Sequence, residues 1–218
     1  MFIAPDANPR TYYVHEIFYS LQGEGAQSGR AAVFCRFSGC NSEDSMGSAC
    51  DFCDTVFADT DGQNGGIFDS HVALASRIES LWPSDPGSDP ASRFVVFTGG
   101  EPLMQLDSEL IRAMQSRGFE VAIETNGTIR APAEVDWICV SPKVGAPLVQ
   151  DFGNEIKLVV PQEGQNLADY EDLVFDHFYL QPMDGPERDG NTARAVQMCL
   201  DNPRWKLSLQ IHKILQIP

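Results

Sequence analysis

Three cysteines stand close together in this chain, Cys40 first and then Cys50 and Cys53 with two residues between them. Thiolates are soft ligands, so such a set suits a zinc ion or an iron–sulfur cluster. A structural zinc completes its tetrahedron with a fourth protein ligand. No other Cys or His occurs between Cys40 and Cys53, and the nearest candidates, His15, Cys35 and His71, lie outside that stretch. A cubane held by three cysteines instead leaves one iron open to a ligand that is not protein. Taken alone, the cysteines fit both chemistries. Cys35, Cys139 and Cys199 do not cluster with them.

Further candidates sit in short runs directly after apolar ones. Gly99-Gly100-Glu101-Pro102 closely follows Arg93 to Phe97, Ser141-Pro142-Lys143 follows Trp137 to Val140, and Gln181-Pro182-Met183-Asp184 follows His177 to Leu180. Leu21-Gln22-Gly23-Glu24 comes after Tyr13 to Tyr19, and Arg36 interrupts the apolar run Ala32 to Phe37. Paired glycines permit close backbone approach, and Pro102 stiffens the exit behind them.

The elements that must position these residues follow from periodicity. The apolar runs are rich in β-branched and aromatic residues and read as strands, together with Glu120 to Ile123, Glu155 to Val160 and Lys206 to Gln210. Helices are expected from Asp69 or Ser70 to Leu81, from Asp107 to before Gly118, and from Asn191 or Thr192 to about Asn202, each opening on a capping residue type. Such alternation favours a mostly parallel sheet. If all the strands are parallel, the motifs gather at one rim, where α/β barrels and open parallel sheets place their sites. The chain has few helices for so many strands, and its 218 residues fall short of a complete eight-fold barrel of about 250. The expected fold class is therefore α/β, an incomplete TIM-type barrel, in one domain spanning residues 1–218.

Composition narrows the function. A formal net charge of -16 opposes binding to a phosphate backbone, so no nucleic-acid partner is expected. No apolar run approaches the roughly 18 residues that span a bilayer, so no membrane partner is expected either. The segment MFIAPDANPRTYY lacks a basic region followed by an apolar stretch, which predicts a cytoplasmic protein with reduced thiols.

The runs EIFYSLQGEG, CRFSGC, CDFCDT, FTGGEP, ETNG, WICVSPK, LQPMDGP and HKILQIP occur in this order. On them the chain resembles the radical S-adenosylmethionine (SAM) superfamily, and within it the 7-carboxy-7-deazaguanine synthases (QueE). The superfamily's usual motif has three residues between its first two cysteines. Here nine residues, Asn41 to Ala49, fill that gap, an expansion similar to that of the QueE branch. Their small, polar character predicts a short turn or helical loop.

The resemblance implies a [4Fe-4S] cluster on Cys40, Cys50 and Cys53, with SAM on the open iron. It brings SAM against Phe52, Cys53, Asp54, Gly100, Glu101, Ser141, Pro142, Lys143, Gln181, Pro182, Met183 and Asp184. It implies a pterin substrate, 6-carboxy-5,6,7,8-tetrahydropterin, held by Leu21, Gln22, Gly23, Glu24, Arg36, Thr98, His212 and the terminal Pro218, with Mg2+ on Thr55. The implied reaction is a radical ring contraction to 7-carboxy-7-deazaguanine with loss of ammonia, SAM being regenerated, on the way to queuosine. Flavodoxin or ferredoxin as electron donor and a homodimer are implied as well. One rival is a glycyl-radical activating protein, which leaves LQGEG and HK...P unexplained. The other is a zinc-stabilised binding module without catalysis.

Overall fold

The computed structural model describes residues 10–41, 59–83 and 93–218. Cys50, Phe52, Cys53, Asp54, Thr55 and the expected turn at 42–49 lie outside the described residues. Strands are β1 (Tyr12–Leu21), β2 (Ala31–Phe37), β3 (Gly66–Phe68), β4 (Phe94–Gly99), β5 (Glu120–Thr125), β6 (Trp137–Val140), β7 (Phe152–Val160), β8 (Val174–Pro182) and β9 (Lys206–Leu207). Helices are α1 (His71–Leu81), α2 (Ser108–Gln115), α3 (Arg188–Asp201) and α4 (Ile211–Leu215). The strands form one nine-stranded sheet in the order β3-β1-β2-β4-β5-β6-β7-β8-β9. From β2 to β9 every pairing is parallel. The fold is the α/β, mostly parallel and helix-poor arrangement that the strand runs predict.

One expectation about direction changes. β1 runs antiparallel to β2, with Leu21 opposite Ala31 and Val14 opposite Phe37. The motif Leu21 to Glu24 therefore leaves β1 at the amino ends of the parallel strands, not at their carboxyl rim. Antiparallel neighbours can be joined by a short connection, and residues 22–30 supply it. The three-residue β3, paired antiparallel with β1, is too short and too close to turn formers to show in the sequence.

Alternation along the strands sorts residues between two faces. Val33, Cys35, Phe37, Val95, Phe97, Val121 and Ile123 join Leu74, Ile78, Leu110, Ile111 and Met114 in the main core, between sheet and helices. Each such aliphatic or aromatic side chain contributes about 1.5–3 kcal/mol through its removal from water. The opposite, inner face carries a second small cluster of Phe18, Ala32, Phe34, Phe94, Val96 and Ala122. Later along the same face the residues turn polar, as Arg36 and Thr98 show in register with each other. The inner face is thus apolar near the strand starts and polar near their ends.

Helix starts are fixed by side chains. Ser70 caps α1 by accepting from the Ala73 amide at 3.2 Å. Asp107 caps α2 through the Leu110 amide at 2.9 Å, and its other oxygen accepts from the buried Tyr12 hydroxyl at 2.8 Å. The expected cap of α3 is corrected: the helix begins at Arg188, before Asn191 and Thr192. The Thr192 hydroxyl bonds back to the Arg188 carbonyl at 2.7 Å, and the Asn191 amide donates to the Met183 carbonyl at 3.0 Å. Asn191 is thereby spent on the turn after β8.

These caps differ in what they leave behind. Ser70→Ala is expected to cost about 1 kcal/mol, the usual value of a lost cap. Asp107→Ala also strands the buried Tyr12 hydroxyl and is expected to cost roughly 2–3 kcal/mol. Urea denaturation of both variants measures the difference; equal losses would mean that the Tyr12 bond contributes nothing.

Candidate active site

At the carboxyl end of the sheet, β4 exits against the turn that follows β2. The Gly100 amide donates to the Phe37 carbonyl at 3.3 Å, and the Glu101 amide to the Gly39 carbonyl at 3.1 Å. A Cβ on Gly99 would overlap the Phe37 backbone, and one on Gly100 would overlap Gly39 and the Cys40 side chain. Gly99 also has φ of 127°, which L side chains rarely adopt. The glycine pair is thus what lets β4 nest beside Cys40.

Glu101 locks this arrangement. Its carboxylate, 0% exposed, accepts from the Leu103 amide at 3.0 Å, the Thr125 hydroxyl at 2.7 Å and the Asn126 amide at 2.8 Å. Burial raises its pKa, opposed by these donors and the Lys143 charge. Beyond it, the Asn126 and Thr128 side chains hold the side chain of Asn41, next to Cys40, at 3.1 and 2.8 Å. The FTGGEP and ETNG turns are therefore one hydrogen-bonded unit that holds the entry to the cysteine loop.

Below the rim lies a cavity of about 530 Å³. Its walls include Cys40 and Gly100, together with Ser141, Lys143 and the run Gln181 to Asp184 from the ends of β6 and β8. Lys143 donates to the Ser141 carbonyl and hydroxyl, both at 2.9 Å, and Lys213 meets Asp184 at 2.7 Å. Glu101 and Pro142 do not line this cavity. Glu101 acts on the turn from inside the core.

The floor comes from the motif after β1, which crosses beneath the inner face. Gln22 donates to Glu124 at 2.9 Å, and the Thr98 hydroxyl donates to the other Glu124 oxygen at 3.1 Å. Lys157 of β7 donates to Glu24, and Gln210 donates to the same carboxylate at 3.0 Å. The Ile211 amide reaches the Gly23 carbonyl at 3.0 Å, and a side chain at Gly23 would strike the His212 ring. Burial opposes ionisation of Glu24, but the Lys157 charge and the hydrogen bonds of Lys157 and Gln210 win, and its pKa stays below the usual carboxylate value. Ser20 donates to a Pro218 main-chain oxygen at 2.7 Å. Leu21 to Glu24, Arg36, Thr98, His212 and Pro218 all line the one cavity.

Sequence reasoning missed Glu16, Glu124, Lys157 and Gln210, which also line it. Glu16 accepts from Arg36 Nε at 2.9 Å. Glu124 stood in the ETNG run, and Lys157 alternates with Glu155 in an otherwise apolar strand, the signal that a closer look at inner-face periodicity would have used.

The metal alternatives also resolve in part. Cys35 is buried on the helix side of the sheet, where burial raises its pKa far above the usual thiol value. It points away from the cavity and is no fourth ligand for a zinc ion near Cys40. His71 opens α1 beside Glu109. His15 lines the cavity with Nδ1 engaged by Asp59 at 2.7 Å. With Asp61, this pair brings three hard or borderline donor atoms within 4.8 Å of one another, a set unlike the thiolates. No helix among the described residues is long and apolar enough to cross a membrane.

No family model matches the chain. The chain is 56% identical over 212 residues to the 7-carboxy-7-deazaguanine synthase of Bordetella pertussis, covering 95% of this chain and 99% of the relative. The corresponding synthase of Burkholderia multivorans is 55% identical over 213 residues, covering 95% of this chain and all of the relative. Among solved structures, QueE from Escherichia coli superimposes with a TM-score of 0.67 at 28% identity, over 92% of this chain and 94% of that one. Identity above one half, sustained over 95% of this chain and 99% or more of each relative, goes well beyond a shared fold, and the chain belongs to the 7-carboxy-7-deazaguanine synthase family.

Proposed function

We propose that this protein converts 6-carboxy-5,6,7,8-tetrahydropterin to 7-carboxy-7-deazaguanine and ammonia, as a radical SAM lyase on the route to queuosine. The observation that carries the reading is the two-ended cavity. Cys40 and the glycine turn stand at the rim, and an amide- and carboxylate-rich floor suited to a pterin lies beneath them.

The donor set fits the implied cofactors. Cys40, with Cys50 and Cys53, would hold a [4Fe-4S] cluster, which together with SAM supplies one-electron chemistry that generates an alkyl radical. The protein's own part is to bind and orient. Gly100, Ser141 to Lys143 and Gln181 to Asp184, joined by Phe52 to Asp54, would hold SAM under the rim, with Glu101 and Pro142 shaping the turns. Gln22 and Glu24 would offer acceptors and an amide to the ring, Thr98 and His212 would flank it, and Leu21, Gly23 and Pro218 would close the floor. Arg36 would take the substrate carboxylate. Glu16 engages only its Nε among the described residues, which leaves the outer fork for bidentate pairing. Thr55 would contribute one oxygen to Mg2+, and the substrate carboxylate and water would supply the others. A flavodoxin or ferredoxin donor, a cytoplasmic location and a homodimer complete the reading.

After anaerobic reconstitution with iron and sulfide, the protein is expected to turn brown and, given SAM, reductant, Mg2+ and the pterin, to form 7-carboxy-7-deazaguanine while SAM is recovered. Cys40→Ala should lose both colour and turnover. An intact cluster without product would sink the assignment, and a colourless protein would favour a zinc site. Arg36→Lys keeps the charge but loses the planar fork; it should raise KM for the pterin roughly 10–100-fold with kcat changed less than about threefold. A fall in kcat alone would remove Arg36 from ground-state binding.

A further inference from the structure

Lys157, the ion-pair partner of Glu24, lies among acids. Glu155 and Lys157 project from β7 on the inner face, Glu124 projects from β5, and His212 approaches from α4. The buried thiol of Cys139 on β6 and the Tyr179 hydroxyl on β8 adjoin Glu155. Among these groups Lys157 is the one fixed cation, and its side chain is 6% exposed. It donates to the Glu24 carboxylate, whose other oxygen receives Gln210. Glu124 and Glu155 are served by neutral donors instead: Glu124 by Gln22 and Thr98, Glu155 by the Ala26 amide at 2.7 Å.

We propose that Lys157 is a positioning residue for pterin recognition, which acts by holding Glu24 in the floor of the cavity as an ionised hydrogen-bond acceptor. The inference rests on the reading of Glu24 as a substrate contact. An ionised carboxylate can only accept, whereas a protonated one turns a donor toward the ring N–H groups it should receive. A carboxylate desolvated by burial tends to take up a proton, and an adjacent cation counters that tendency. Lys157 itself is held charged: burial disfavours its ammonium, but Glu24, with Glu124 and Glu155 nearby, pushes its pKa well above the usual lysine value. The pair is therefore ionised across the physiological range, and recognition of the ring is buffered against pH.

The test is a cycle of Lys157→Met, Glu24→Gln and the double variant. Binding of 6-carboxytetrahydropterin to anaerobically reconstituted protein is measured by calorimetry as a function of pH. Lys157→Met should weaken binding about 10–100-fold near neutral pH, by loss of one charge-supported contact. The loss should shrink as pH rises, because raising the pH returns Glu24 to its accepting form. Every other side chain of the site is common to parent and variant, so the ratio of their affinities isolates the Lys157–Glu24 pair. In the double variant the pH dependence of that ratio should vanish, with affinity no worse than in Glu24→Gln alone. A pH-independent ratio, or additive losses, would overturn the proposal and leave Lys157 a structural residue. Unchanged affinity in Glu24→Gln would instead sink the reading of Glu24 itself. Should Lys157→Met not fold, recovery of folding in the double variant supports the pairing, and failure to recover counts against it.

Discussion

The Glu101 carboxylate, closed off from solvent and fed by two amides and a hydroxyl, ties the exit of β4 to the exit of β5. Everything at the rim hangs on that tie. It fixes the glycine turn against Gly39, and through Asn126 and Thr128 it fixes Asn41, so the backbone on both sides of Cys40 is held from the sheet. A buried carboxylate is costly unless its lone pairs are occupied. Here they are, and the same donors that satisfy it are the ones that set the two turns. The unusual polarity of the core at this point is therefore the means by which Cys40 and Asn41 are held in a defined place.

The floor solves a different problem. A parallel sheet that curves round a site leaves an opening at the strand starts. In this chain the opening is filled from one direction by the apolar cluster around Phe34 and Val96, and from another by the connection that follows an antiparallel first strand. Because β1 runs against its neighbours, Gln22 and Glu24 reach the inner face from beneath, while Cys40 and Gly100 reach it from above. The Glu155 carboxylate accepts the Ala26 amide, and the Ser208 hydroxyl accepts the Gly25 amide at 3.0 Å, so the connection is clamped from β7 and from the segment after β9. Segments 183 residues apart in sequence meet there, which no local pattern could have specified.

Much of this was legible. Eight of the nine strands stood out as β-branched or aromatic runs, and the turns at their ends carried the candidate residues. What was not legible has physical causes. The direction of β1 is decided by which strand it pairs with, a long-range choice that hydrophobic alternation does not encode. The start of α3 was misplaced because Asn191, a capping type, finds a better partner in the Met183 carbonyl. Glu101, which the resemblance places at SAM, also has a role in the fold that the sequence did not show, since its oxygens accept from the Leu103 and Asn126 amides and the Thr125 hydroxyl. Lys157 and Glu155 were hidden by their apolar neighbours in β7, where only the period-two register shows that both share the cavity face.

That register also explains how so acidic a chain can receive an anionic substrate. On the inner face and at its mouth three cations are paired with carboxylates: Arg36 with Glu16, Lys157 with Glu24 and Lys213 with Asp184. Such pairing lowers the cost of keeping charges out of water, since each desolvated ion keeps a counterion within hydrogen-bonding distance. It also grades them by what remains available. The Lys157 ammonium is spent inside the floor, 6% exposed, and adds no free positive charge to the cavity. Arg36 lines the cavity, is 21% exposed and gives up one nitrogen to Glu16. Charge placed in pairs at fixed depths, not net charge, determines where in the cavity an anion can sit, and a total of -16 spread over the surface does not contradict a site built to hold one.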